Sequence, residues 1–175
     1  MKVITISGHA EAGKDTVANQ IKWQLQDIKF DVKVAILHYA DMLKFLCKTM
    51  YGWDGQKDEQ GRALLQRIGT NIVREKDPNF WIDIVAMVID MFNDEFDYFI
   101  IPDCRFPNEA DEMKERFNAM AIKVVRPGYQ NHLTPEQRLH PSETAMDNYE
   151  FDYIINNPGT EGLEDNVADF IMKCL

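Results

Sequence analysis

Nine residues near the N-terminus carry the strongest chemical signal in this chain: Gly8-His9-Ala10-Glu11-Ala12-Gly13-Lys14-Asp15-Thr16. They follow an apolar, strand-like run, Lys2–Ser7. They open a helical pattern from Asp15 to about Ile28, with Val17, Ile21, Leu25 and Ile28 on one face. Glycines at such a strand-to-helix turn let the backbone curl, so that several N–H groups converge on phosphate oxygens. The helix N-terminus adds a favourable partial charge, and Lys14 is placed to reach the β- and γ-phosphates of a nucleotide. The usual loop of this kind has Ser or Thr directly after the lysine. Here that residue is Asp15 and the hydroxyl follows at Thr16. Thr16 is therefore expected at the α-phosphate, and Asp15 as a helix cap or on metal-bound water.

Three further clusters could work beside this loop. Asp103, in Ile100-Ile101-Pro102-Asp103-Cys104-Arg105, ends a buried-strand pattern, where open α/β sheets bind ligands. An acid there can organise a magnesium shell, and Arg105 can neutralise phosphate. The alternative is a helix cap and a surface ion pair. Between Gln60 and Lys76, Leu64, Leu65, Ile68 and Ile72 share one arc of a helical wheel, leaving Arg62, Gln66, Thr70 and Arg74 on the polar side. Gly69 inside that helix costs about 1 kcal/mol against Ala, which a close approach by ligand would justify. A solvated face is the plainer reading. Lastly, Arg138-Leu139-His140-Pro141-Ser142-Glu143-Thr144 ends an irregular stretch that could close over phosphates, or be an ordinary surface loop.

The elements that must position these groups alternate between strand and helix patterns. Strands are expected at Lys2–Ser7, Val32–Leu37, Phe96–Pro102, Met120–Val125 and Tyr153–Asn156. Helices are expected from Asp15, from Asp41 (as N-cap) to about Tyr51, over Gln60–Lys76, from Asp77-Pro78 to about Phe92, over Asn108–Phe117 and Ser142–Asn148, and at the C-terminal end near Cys174. Five strands alternating with helices predict a three-layer α/β/α sandwich with a parallel sheet.

Composition bounds the rest. A length of 175 residues fits a single domain, and 19 Lys plus Arg against 29 Asp plus Glu gives a net charge of −10. That balance argues against a protein that coats polymeric nucleic acid, but not against a small anionic ligand met by a local cationic cluster. Three distant cysteines, Cys47, Cys104 and Cys174, form neither a zinc pattern nor a disulfide framework, and His9, His38 and His132 show no metal spacing. With no signal peptide and no long apolar helix, the expected setting is cytoplasmic, without a membrane. Six of the seven arginines, all but Arg116, fall in or beside the candidate site segments.

Taken in order, these motifs resemble those of the bacteriophage deoxynucleoside monophosphate kinases. The Gly-Lys-x-Thr loop ending is also similar to that of adenylate kinase. The series comprises Gly8–Thr16, Tyr39-Ala40-Asp41 with Lys44, Leu65–Thr70 with Arg74 and Trp81, Asp103–Glu109, His140–Thr144 and Asn156–Thr160. The resemblance implies a P-loop kinase domain with sheet order 2-3-1-4-5, residues 41–95 as a helical acceptor-binding part and 126–145 as a lid. It implies ATP, Mg2+ and transfer of a phosphoryl group to a deoxynucleoside monophosphate, and it permits a homodimer. Lys14, Asp103, Arg105 and Arg138 would be catalytic. Gly8, Ala12, Gly13, Lys14, Asp15, Thr16, Asn157, Gly159 and Thr160 would hold the donor. Tyr39, Asp41, Lys44, Arg62, Gln66, Thr70, Arg74, Trp81 and Glu143 would form the acceptor site. Asp103 and Asp15 would reach the metal through water.

Overall fold

A computed structural model describes residues 1–159 and 161–175. Five parallel strands form one sheet in the order β2-β3-β1-β4-β5: β1 (Lys2–Ser7), β2 (Val34–Ile36), β3 (Tyr98–Ile101), β4 (Met120–Val125) and β5 (Tyr153–Asn156). Ile4 pairs with Ile100 on one side and Met120 on the other, so β1 lies at the centre of the sheet. Five of its six residues are buried, as expected of a strand covered on both faces.

Helices fill both outer layers. On one face, α1 (Lys14–Ile28) and α8 (Leu163–Cys174) pack together over a core that includes Ile4, Ile6, Val17, Ile21, Val167 and Phe170. On the other face lie α2 (Ala40–Tyr51), α4 (Phe80–Phe92) and α5 (Pro107–Phe117), whose core includes Val3, Leu43, Ile82, Phe99 and Met113. The sheet reverses its winding beside β1. The loops after β1 and β3 therefore open into one crevice at the carboxyl ends of the strands.

The expected Gln60–Lys76 helix is two pieces. Residues Glu59–Gln66 form α3, capped by the Asp58 side chain on the Gly61 N–H at 2.7 Å, and Arg67–Arg74 continue as a π-helical segment. The wider turn brings Gly69 against α2. A Cβ on Gly69 would lie 2.6 Å from Leu43 Cδ2. The glycine thus admits a neighbouring leucine, a close approach the sequence did not show, and it also lines the cavity described below. The irregular 126–139 stretch also contains a turn of helix, α6 (Pro135–Arg138), closed by a capping box between Thr134 and Gln137. After it comes α7 (Pro141–Thr144), shorter than the helix expected at Ser142–Asn148.

Two expected caps move. Helix α2 begins at Ala40 with Tyr39 as N-cap, and Asp41 lies in its first turn. Helix α4 begins at Phe80 after Asn79, while Asp77 accepts the Asn79 N–H at 3.0 Å.

Candidate active site

The loop after β1 is shaped by backbone geometry that a side chain would block. Gly13 is left-handed at φ +88°, and a Cβ on it would lie 2.2 Å from Asn157 Nδ2. Asn157, buried just beyond β5, donates instead to the Ala12 carbonyl at 2.8 Å and so props the loop from behind. Gly13 offers α1 no side-chain cap, which leaves the first-turn amides free for an anion. Lys14 is 8% exposed and donates through Nζ to the Gly8 and His9 carbonyls at 2.7 and 2.9 Å. Burial, followed by the neighbouring Arg105 charge, pushes its ammonium down to about 8.

This loop forms one wall of a cavity of about 720 Å³ that runs to the π-helical segment. Seven cationic side chains line the cavity: Lys14, Lys44, Lys57, Arg62, Arg74, Arg105 and Arg126. Five carboxylates lie among them, and each is engaged within the protein. Asp103 accepts the Tyr39 and Ala40 amides at 3.0 and 2.9 Å, supplying from across the cavity the cap that α2 lacks locally. Asp15 pairs with His38 Nε2 at 2.7 Å, which draws the Asp15 carboxyl down and His38 up from their ordinary values. Glu11 accepts from Tyr129 Oη at 2.9 Å and lies 2.9 Å from His132 Nδ1. Glu109 is 2% exposed and meets Arg74 Nη2 at 2.5 Å, while its other oxygen accepts the Arg105 and Phe106 amides. Burial nevertheless raises the Glu109 carboxyl above its ordinary range, with Arg74 opposing. Glu143 accepts the Ala10 N–H at 2.9 Å and meets Arg105 Nη1.

Most of the residues singled out in the sequence line this cavity: Gly13, Lys14, Asp15, Thr16, Tyr39, Lys44, Arg62, Gln66, Thr70, Arg74, Trp81, Asp103, Arg105 and Glu143. Gly8, Ala12, Asn157 and Gly159 act from behind, within the loop or propping it. Asp41 is exposed and pairs with Lys44 at 2.9 Å. Thr160 lies outside the described residues. Tyr39 and Trp81 are 4% and 3% exposed, and their polar ends are committed to the Glu109 and Gly69 carbonyls. They are walls rather than open stacking platforms.

Arg138 does not line the cavity. It folds back onto Asn131, donating to the Oδ1 and the backbone oxygen at 3.1 and 2.8 Å. The arginine that reaches the cavity from this region is Arg126, directly after β4. It stacks on the Tyr129 ring at 4.0 Å and donates to the Glu11 carbonyl at 3.3 Å. Arg126, Lys57, Glu11, His38 and Glu109 were not among the expected site residues. Glu11 and Glu109 lay inside motifs that were singled out, and Arg126 opened the expected lid, whereas Lys57 and His38 lay outside any such motif.

The loop fits a nucleotide triphosphate, since Lys14 and the uncapped amides of α1 face the cavity together. Among the described residues no three His, Cys, Asp or Glu side chains group to hold a metal alone. Asp15 and Asp103 beside Lys14 suit an ion that keeps its waters and takes its remaining ligands from phosphate, as magnesium does. Among the described residues no helix is long and apolar enough to cross a membrane.

A central strand, a Gly-Lys loop opening a helix, and an acid after the adjacent strand define a P-loop kinase fold. Solved structures of that shape superpose over nearly the whole chain. The tunicamycin resistance protein of Deinococcus radiodurans matches with a TM-score of 0.55 at 14% identity, covering 98% of this chain and 94% of its own. Shikimate kinase from Aquifex aeolicus gives 0.51 at 12% identity, covering 97% and 94%. A profile of the deoxynucleotide monophosphate kinases matches residues 54–167, more than half of the chain, and the protein belongs to that family. Phage T4 deoxynucleotide monophosphate kinase is 35% identical over 101 residues, 57% of this chain but only 39% of that enzyme. A putative deoxynucleotide monophosphate kinase of Acanthamoeba polyphaga mimivirus is 27% identical over 91% of this chain and 90% of its own length. The Gly8–Thr16 loop precedes the stretch matched by the family profile, so its assignment stands on its geometry.

Proposed function

We propose that the protein transfers the γ-phosphoryl group of ATP to a deoxynucleoside 5′-monophosphate, yielding ADP and the deoxynucleoside diphosphate. The observation that carries this reading is one cavity that joins the phosphate loop to the Arg62–Arg74 face, with seven cationic side chains on its walls and each of its five carboxylates partnered within the protein. That arrangement suits two polyanions brought end to end. An acceptor phosphate is already an ionised nucleophile, so the protein's task is alignment and relief of repulsion rather than proton abstraction. Family membership supports the acceptor class.

Lys14 leaves the Gly8 and His9 carbonyls and takes the donor β- and γ-phosphates, while the first-turn amides of α1 hold their remaining oxygens. Thr16 faces the α-phosphate. Arg126, stacked on Tyr129 close to Gly159, flanks the donor, because a Cβ on Gly159 would lie 2.8 Å from Arg126 Nη2. Arg62, Gln66 and Thr70 line the acceptor end, and Arg74, fixed by Glu109, closes it. Arg105 stands between the two ends. Asp103 and Asp15 would hold magnesium through its waters, and the ion would supply positive charge to offset that of the phosphates.

A coupled assay of ADP release over the four common deoxynucleoside monophosphates, and over modified pyrimidine ones, tests this. Turnover that requires both acceptor and magnesium is expected, with chelation by EDTA abolishing it. No acceptor-dependent release across that panel overturns the reading.

A further inference from the structure

Glu143 sits on α7 beside the phosphate loop, and both of its carboxylate oxygens are taken. Oε2 accepts the Ala10 N–H at 2.9 Å, and Oε1 meets Arg105 Nη1. The side chain is only 6% exposed. The turn that carries it is stiff: Pro141 opens α7, and His140 Nδ1 accepts the Ser142 N–H at 3.2 Å. Arg105 is held from two sides. Its backbone N–H goes to Glu109 Oε2 at 2.6 Å, and its Nη1 also donates to the Ser142 carbonyl at 3.1 Å. What remains is the Nε–Nη2 edge of the guanidinium, which makes no hydrogen bond among the described residues although Arg105 lines the cavity.

We propose that Glu143 is a positioning residue for phosphoryl transfer: it fixes Arg105 against the start of the phosphate loop so that the Nε–Nη2 edge faces the transferring group, and it does not touch substrate itself. The proposal rests on the kinase reading above. It revises the sequence expectation, which placed Glu143 in the acceptor site. A carboxylate aimed at a nucleotide phosphate repels it. One whose two oxygens hold an amide and a guanidinium instead orients a planar fork that matches two phosphate oxygens. Fixing a long side chain before the reaction means that its freedom is not lost as the transition state forms. Glu143 also offsets the repulsion between Arg105 and Lys14 across the loop.

The test is a double-mutant cycle with Glu143→Gln, Arg105→Ala and the pair. Arg105→Ala is expected to lower kcat ~100-fold, the scale for one charge-stabilising donor. Glu143→Gln is expected to lower kcat by ~30-fold or more while the KM of each nucleotide stays within ~3-fold, and to have almost no further effect once Arg105 is gone. Glu143→Asp keeps the charge and recovers part of the lost kcat. Losses that multiply in the double variant overturn the proposal, as does a loss confined to the acceptor KM, which marks direct substrate contact. Calorimetry with ADP and with ADP plus fluoroaluminate gives a readout that needs no acceptor. Glu143→Gln, Arg105→Ala and the pair bind ADP as the wild type does, and these three lose the fluoroaluminate enhancement equally. A variant that no longer binds ADP reports a collapsed loop and overturns the proposal. If the wild type itself shows no acceptor-dependent turnover, the kinase reading fails, and the calorimetric cycle still decides whether Glu143 acts through Arg105.

Discussion

Lys14→Met is expected to stabilise the fold while destroying its activity, and the pH dependence of that gain follows from the burial of the ammonium. Lys14 is 8% exposed, and its pKa falls from 10.5 to about 8 in the folded chain. Below about pH 8 the group is charged in both states, and folding carries the full cost of desolvating it. A gap of about 2.5 pH units at ~1.4 kcal/mol each amounts to about 3 kcal/mol. As pH rises from about 8 towards 10.5, the folded chain is already neutral while the unfolded chain still binds the proton, so the cost fades. About 2 kcal/mol of it is relieved between roughly pH 7 and 9.5. Methionine carries none of this cost but forfeits the two hydrogen bonds to Gly8 and His9, at ~1 kcal/mol each. The variant should therefore be about 1 kcal/mol more stable than the wild type at neutral pH, and that lead should shrink and reverse by about pH 9.5. Urea unfolding of both proteins across this range measures the difference directly, because every other titrating group is common to the two. A difference that stays flat with pH would refute the desolvated-lysine reasoning. Kinase turnover in the variant should drop at least ~100-fold.

Three other perturbations separate the residues that line the cavity from those that do not. Arg126→Ala should lower kcat/KM for ATP by ~10-fold or more, whereas Arg138→Ala should stay within ~3-fold in the same coupled assay, since Arg138 is turned onto Asn131. Gly13→Ala should destabilise the fold by ~2 kcal/mol or more by urea titration and abolish ATP binding, because φ is +88° and the new methyl would displace Asn157 from the Ala12 carbonyl. Trp81→Phe should cost ~1–3 kcal/mol and raise the acceptor KM more than the ATP KM, as the Gly69 carbonyl loses its buried donor beside Leu43 and Thr70.

The phosphate loop was legible in the sequence because strand, turn and helix are contiguous there, so local pattern and function coincide. The sheet and its two helical layers were legible for the same reason, each strand being a short apolar run between polar turns. What stayed hidden depends on distant chain. Asp103 caps α2 from sixty-odd residues away, so Asp41, the locally plausible cap, is left on the surface. A wheel at a fixed helical angle cannot register the π-helical segment, and the propensity cost of Gly69 does not reveal its close approach to Leu43. The choice between Arg126 and Arg138 turns on the path of the chain after β4, which α6 and its Thr134–Gln137 cap redirect. Glu109 stood in the Asp103–Glu109 motif without a role of its own. Its burial appears only when Arg74, thirty-five residues earlier, is packed against it.

The net charge of −10 and the chemistry of the cavity meet in the way the five carboxylates are used. Glu11, Asp15, Asp103, Glu109 and Glu143 would each repel a nucleotide if left open, and at close range in a poorly solvated cavity that repulsion would be large. None is left open. Asp103 is turned onto two backbone amides, Asp15 onto His38, Glu11 onto Tyr129 and His132, Glu109 onto Arg74 and two amides, and Glu143 onto Arg105 and Ala10. Two of the acids, Glu109 and Glu143, thereby become struts that orient the cations Arg74 and Arg105. Fixed cations stabilise developing charge better than mobile ones, because they need not reorganise as the phosphoryl group moves. The acidic body acts in the opposite sense from outside, repelling anions from the rest of the surface and leaving the cationic cleft as the place where they bind. Raising ionic strength should therefore weaken nucleotide binding, read as a rise in Kd, by screening the cations that line the cavity.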